Sequence, residues 1–213
     1  MASEIDEAPN LSLGKAEFVV LIASLMALNA LAIDVMLPAL SQIGADFQLT
    51  NENDRQLVII AYVLGFGAPQ LIYGPLTDRY GRRRVLFVAL AGYVACALIS
   101  TLVTSFSALL VARFTMGVFS SGCRVVAVSV VRDVFAGRAM AEIMSLVMTI
   151  FMVVPILAPA IGQAVLFGGP WQWIFWVLAL YAASVFVWTL TRLPETLPEA
   201  RRKPLNLAAA FGA

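Results

Sequence analysis

The sequence predicts an all-α membrane protein, six transmembrane helices gathered into one bundle. Three observations carry that prediction. The 213 residues are 61% hydrophobic, with a mean hydropathy of +0.89, and only 13% are charged, where soluble domains carry about a quarter. The apolar residues form six runs, each near the roughly 20 residues that cross about 30 Å of hydrocarbon. The basic residues between those runs fall almost wholly on one side, as the positive-inside rule requires.

In chain order, residues 1–16 form a polar N-terminal tail with Glu4, Asp6, Glu7 and Lys15. Apolar runs follow at about 17–40, 56–76, 85–104, 107–130, 141–167 and 171–191. The first run is longer, and its start more acidic, than a cleaved signal peptide, so it is expected to remain as the first span. The expected organisation is a cytoplasmic tail over 1–16, a six-span bundle over 17–193 and the start of a cytoplasmic inter-bundle linker over 194–213. Short connections at 104–107 and 168–171 make spans three and four, and five and six, antiparallel neighbours. Eleven basic residues (Lys15, Arg79, Arg82, Arg83, Arg84, Arg132, Arg138, Arg192, Arg201, Arg202 and Lys203) lie on one side and Arg55 alone on the other. Both termini are therefore expected in the cytoplasm. Trp171, Trp173 and Trp176 at one end of the sixth span, and Trp188 near the other, fit the aromatic belts of the two interfaces.

Composition also excludes chemistry. With no histidine, zinc sites and histidine-based catalysis or proton relay are out, and any proton carrier must be a carboxylate. Cys96 and Cys123 both lie inside apolar runs and read as packing residues rather than a disulfide or metal pair. No cofactor and no metal are called for. Nucleic acid is not an expected partner, and no constellation of nucleophile, base and orienter suggests an enzyme.

Asp34 is the only carboxylate well inside a span, where a charge costs a few kcal/mol even on lenient insertion scales. Ala27, Ala30, Asp34 and Pro38 share one helix face, which suits a cavity wall; the plainer reading is that Asp34 caps or pairs near the outer interface. Arg113 lies about six residues from the outer start of span four and Asp34 about six from the outer end of span one. Both are thus expected roughly 9 Å below that surface, where pairing would offset the burial of each. Arg113, Gly117, Ser120, Ser121 and Arg124 make a small and polar stripe on span four, facing either water or a tightly packed helix, with Arg124 snorkelling toward the cytoplasm in the second case. Tyr62, Pro69, Gln70 and Tyr73 give span two a partly polar face. In span five, Met144, Met148, Met152, Pro155, Pro159 and Gly162 form another stripe; two prolines four residues apart free backbone carbonyls and predict a bend that can gate.

The stretch from Gly74 to Arg84, Gly-Pro-Leu-Thr-Asp-Arg-Tyr-Gly-Arg-Arg-Arg, is a short cationic loop. Gly81 permits the reversal, Asp78 can answer an arginine and Gly74 permits a close helix approach. The pattern resembles the loop between helices two and three of the major facilitator superfamily, with Thr77 where that family more often has Ala or Ser. The resemblance implies a conformational role for Gly74, Asp78, Arg79, Gly81, Arg82 and Arg83. The segment Arg-Phe-Thr-Met-Gly from Arg113 resembles the fourth-helix motif of proton-coupled members. The stretch from Pro155 through Pro159 to Gly162 resembles the antiporter motif, although Pro155 and Gln163 stand where glycines are usual. The order of these segments is similar to that in bicyclomycin-resistance-type drug:proton antiporters, over residues 17 to about 200.

What the resemblance implies is the first half of a twelve-span protein of the bacterial inner membrane: an inverted three-plus-three bundle that needs a second six-span bundle to alternate access. The implied function is proton-coupled export of small drug-like, lipophilic or cationic molecules. Asp34, Arg113, Tyr62 and Arg124 would be its proton and substrate residues, Pro155, Pro159 and Gly162 its gating residues, and the chain alone would be inactive. Two other readings remain: a half that dimerises, and a non-transporting membrane assembly or interaction module whose charges simply hold helices together.

Overall fold

A computed structural model describes residues 13–202, and all regular structure among them is helical. The elements are α1 (Lys15–Asp34), a 3-10 turn (Leu37–Ala39), α2 (Leu40–Asp46), a second 3-10 turn (Glu52–Gln56), α3 (Leu57–Gly67), α4 (Gln70–Tyr80), α5 (Arg82–Ser100), α6 (Phe106–Val134), α7 (Gly137–Gly168) and α8 (Gln172–Arg192). Five segments are long and apolar enough to cross a membrane: Lys15–Asp46, α5, α6, α7 and α8. α3 and α4 meet the same test together, bent by 43° at Ala68 and Pro69.

The pairings along α6 show that α3 and α4 make one broken span. Val58 meets Arg113, Gly65 meets Phe114, Tyr73 meets Gly122, and Asp78 shares a pocket with Arg124. Both chains advance together, so the broken span runs parallel to α6. Pro69 explains the break, since it lacks the N–H that would continue the ladder of α3.

α6 is the hub, packing on α3, α5 and α1, while α5 packs on α8 and α1 packs on α7 and α8. Glycines set the closest approaches. A Cβ added at Gly65 would collide with the Phe114 carbonyl, and one at Gly117 with the Tyr62 carbonyl; the two backbones are in contact because neither residue has a side chain. Gly162 of α7 likewise sits against the Val35 carbonyl, where span one breaks. A Cβ added at Gly74 would meet no other element within 4 Å, so within this bundle the close approaches lie at Gly65 and Gly117.

The ends are tied by side chains. On the side that carries the turn at Gly81, hereafter the loop side, Arg192 grips Glu17 through two bonds of 2.8 Å. Trp188 Nε1 donates to the same carboxylate at 3.3 Å, and Lys15 pairs with Glu142 at 2.7 Å. On the opposite side Trp171 Nε1 donates to Asp46 at 2.6 Å, and its ring meets Phe47 and Phe175. Trp171 is therefore a buried plug between span one and α8, not an interfacial belt residue; Trp173 and Trp176 are exposed. α7 is the least embedded span. It carries Met152, Val153, Ile156 and Leu157 outward and buries only Ile143, Val147, Ala158 and Gly162. It also runs unbroken from Gly137 to Gly168 through Pro155 and Pro159; the sharp bend of the bundle lies in span two.

Candidate functional site

At the centre of the bundle, α6 presents Arg113 with no solvent-accessible surface. Helix α1 ends at Asp34, and the last four carbonyls of a helix lack partners within it. The Val35 N–H takes the Leu31 carbonyl. The Ala32 carbonyl is taken by Arg113 Nη2 at 2.8 Å, and Arg113 Nε donates to the Val58 carbonyl at 3.2 Å. The guanidinium also stands over the Tyr62 ring at 4.5 Å and near the Phe175 ring at 5.9 Å. One side chain thus pins the break of span one, the start of α3 and α8 to α6. Tyr62, Ser120 and Ser121, all buried, lie along the same junction.

Among the described residues no ion pair or hydrogen bond joins Asp34 to Arg113; the cation is met by carbonyl dipoles and ring faces instead. Span one does not end near Leu40 but passes through the 3-10 turn and α2 to Asp46; Arg113 still reaches it close to Asp34, at the Ala32 carbonyl two residues earlier, but takes that carbonyl and not the carboxylate. Asp34 is half-buried. It sits one residue before the Val35 carbonyl on which Gly162 of α7 packs, which brings the Asp34 break together with one residue of the span-five stripe. Pro155 is exposed and Pro159 half-buried.

Arg124 lies apart from this centre. With Gln70, Gly74, Asp78, Arg82 and Asp133 it lines a loop-side pocket of about 440 Å³. The stripe on α6 therefore divides: Arg113, Gly117, Ser120 and Ser121 are buried against protein, and Arg124 belongs to the loop-side group.

That group is built around Arg82. Gly81 adopts φ +90, a region open to glycine, and so ends α4 and starts α5 within one residue. Arg82 then folds back. Its Nη1 donates to Asp78 Oδ1 at 2.6 Å and to Thr77 Oγ1 at 2.5 Å, and its Nε to Asp133 Oδ2 at 3.0 Å. Thr196 Oγ1 donates to the same Asp133 oxygen at 2.9 Å. The Glu195 carboxylate accepts from the backbone N–H groups of Arg82 and Arg83, at 2.9 and 3.2 Å. Arg83 donates to the Leu190 carbonyl at 2.6 Å. Arg79 is exposed over the Tyr80 ring at 5.5 Å. Asp133, Glu195 and Thr196 are the members that sequence reasoning did not assign to the loop; the signal was the local run Arg132-Asp133 and the Pro194-Glu195-Thr196 step after the last span.

A buried arginine between broken helices, bundled spans and a charge-locked loop define a polytopic helical membrane protein. The model of the Major Facilitator Superfamily matches residues 22–212, and this chain belongs to that superfamily. It is 31% identical over 183 residues to the "Multidrug resistance protein MdtL" of Escherichia coli (strain K12), covering 86% of this chain and 46% of that protein. It is 33% identical over 192 residues to the "Uncharacterized MFS-type transporter YdgK" of Bacillus subtilis (strain 168), covering 89% and 48%. The chain thus spans about half the length of the curated relatives it matches. Among solved structures, the human organic anion transporter MFSD10 (TETRAN) superposes with a TM-score of 0.71 at 22% identity, covering 93% of this chain and 53% of that one. A bacterial homologue of the human lysosomal transporter Spinster gives 0.68 at 17% identity, covering 90% and 44%. These two likenesses are of fold.

Proposed function

We propose that the chain is one six-span bundle, residues 17–193, of a proton-coupled exporter of small lipophilic or cationic molecules, and that it works only against a second six-span bundle. The observation that carries this reading is the junction at Arg113, a buried cation holding the end of α1 two residues from the half-exposed Asp34. The 31% identity to a protein named for multidrug resistance supports the substrate class. Asp34 is the proton and substrate carboxylate. Protonation or substrate contact there alters the last turn of α1, whose Ala32 carbonyl is bonded to Arg113, and Arg113 passes the change to α3 through Val58 and Tyr62. Substrate and proton compete for one carboxylate, so each is released when the other binds. Neutralising a charge in an apolar setting is the event that such a junction can sense.

The loop-side group, from Gly74 through Arg83 with Asp133 and Glu195, serves as the latch that fixes spans two, three, four and the segment after α8 in one state. Arg124 and Gly74 line the pocket at its rim and face the second bundle, with Pro155, Pro159 and Gly162 on the moving face of α7. Both termini and the latch face the cytoplasm, residues 1–16 form a cytoplasmic tail and residue 194 starts the inter-bundle linker, in a bacterial inner membrane. The second bundle, either the other half of a longer protein or a second copy, covers the outward apolar rows of α3 and α7, which include Leu64 at 60% and Ile156 at 75% exposure. Vesicles test the proposal. Gradient-driven uptake of a lipophilic cation is expected only when the chain is assembled with a second bundle, and uptake by a demonstrated monomer would refute it.

A further inference from the structure

Between α4 and α5, on the loop-side half of the bundle, lies a groove of about 550 Å³ floored by α6, well within the roughly 300–1,000 Å³ of small-ligand sites. Its walls are apolar: Ile72, Tyr73 and Leu76 from α4, Val85 and Val88 from α5, Val118 from α6. Pro69, at the 43° bend of span two, lines it as well. The groove's loop-side end carries Tyr80 and Arg84.

The four arginines of the loop divide their work. Arg82 is bound by Asp78 and Asp133, and Arg83 by the Leu190 carbonyl and the Phe87 ring. Arg79 and Arg84 have no carboxylate partner among the described residues. Arg84 is exposed at the groove mouth, and Arg79 stands over the Tyr80 ring that lines it. An exposed arginine lining an apolar slot, with a second arginine stacked on the tyrosine that also lines it, matches a molecule with an anionic head and a hydrocarbon tail. The two arginines oppose a lipophilic cation, the class proposed above as cargo.

We infer that this groove is a binding site for an anionic phospholipid, which lays one acyl chain between α4 and α5 and sets its phosphate against Arg84 and Arg79. Inside a bilayer the tail gains little by leaving other lipid tails, so selectivity rests on the head group, and each arginine near an anionic lipid contributes about a fivefold preference. The site is separate from the Arg113 junction, shares Leu76, Arg79 and Tyr80 with the segment that carries the latch, and does not require the transport reading.

The test uses the whole chain, purified in micelles and titrated with phosphatidylglycerol or phosphatidylcholine of identical acyl chains, with bound lipid counted by native mass spectrometry. The wild-type chain is expected to retain phosphatidylglycerol at least about fivefold better than phosphatidylcholine. Arg84→Gln should lower phosphatidylglycerol retention about fivefold, whereas Arg138→Gln, at an exposed position at the start of α7, should leave it unchanged. Val88→Trp, which fills the groove from an exposed position, should lower retention of both lipids. Circular dichroism of each variant checks the helical fold, which none of these exposed positions is expected to disturb. Equal retention of the two lipids by the wild-type chain would overturn the inference. So would an Arg84→Gln or Val88→Trp chain that binds as the wild type does, or an Arg138→Gln chain that loses as much as Arg84→Gln, since the preference would then belong to the basic surface at large.

Discussion

Arg113 is a buried cation without an acidic partner among the described residues, held by the Ala32 and Val58 carbonyls and the Tyr62 ring. Burying an ion costs several kcal/mol after relaxation, and replacing buried ionic groups by apolar ones of similar size is often neutral or stabilising. The freed Ala32 and Val58 carbonyls offset that gain at about 1–3 kcal/mol each. Arg113→Met is therefore expected to change the stability of the bundle by no more than about 2 kcal/mol in either direction, while transport by the assembled protein is lost. Thermal unfolding in detergent reads the first and vesicle uptake the second; a strongly destabilised Arg113→Met would assign the residue a structural role instead. Sequence alone revealed that Arg113 and Asp34 are intramembrane charges and that Tyr62 accompanies them. It did not reveal their partners. The unpaired Ala32 carbonyl exists only because α1 stops at Asp34 and the chain turns through Leu37–Ala39, and the sequence shows that stop only as a proline at 38.

Among the elements, glycine spacing distinguishes packing from mere presence. Gly65 and Gly117 touch the facing backbone, so Gly117→Ala must push α3 and α6 apart and is expected to cost about 1–3 kcal/mol, the usual range for overpacking. Gly74 lies in the middle of α4 with open space beside it. Gly74→Ala is expected to be neutral or stabilising by up to about 1 kcal/mol through helix propensity, and chemical or thermal melting of the two variants should order them that way. The arginines of the loop sort similarly. Arg82, with a side chain only 10% exposed, serves Asp78, Asp133 and Thr77. Arg82→Ala should cost about 2–4 kcal/mol after allowance for the partial exposure of Asp78, against at most about 0.5 kcal/mol for Arg79→Ala. A similar melting loss for both would contradict the latch. The spans were legible because hydropathy fixes which residues leave water, and the loop because its charges cannot enter hydrocarbon. Asp78 as an arginine's partner was legible and is borne out at Arg82; Asp133 and Glu195 were not, since Asp133 lies 51 residues away and Glu195 binds the loop backbone from 113 and 112 residues away. The break of span two was hidden for another reason: Pro69 interrupts no run of hydropathy, only a run of hydrogen bonds.

At the scale of the whole molecule, the proposed function makes the six spans, with their cationic loop side and outward apolar rows on α3 and α7, one half of an alternating-access machine. Its orientation is open to direct reading. A membrane-impermeant thiol reagent outside intact cells should reach a cysteine placed at the exposed Asn51 and miss one placed at the exposed Arg138, and the reverse pattern would invert the bundle. The native thiols do not interfere, since Cys96 and Cys123 are both buried. The proton role assigned to Asp34 is the central claim, and one measurement bears on it most directly: proton movement in vesicles containing the chain assembled with a second bundle, recorded with a pH-sensitive dye when a lipophilic cation is added. Cation-driven proton movement is expected with the wild-type chain and its complete loss with Asp34→Asn, while the variant remains folded in the vesicle membrane. Undiminished proton movement by a folded Asp34→Asn protein would contradict the assignment and place the proton site on another carboxylate.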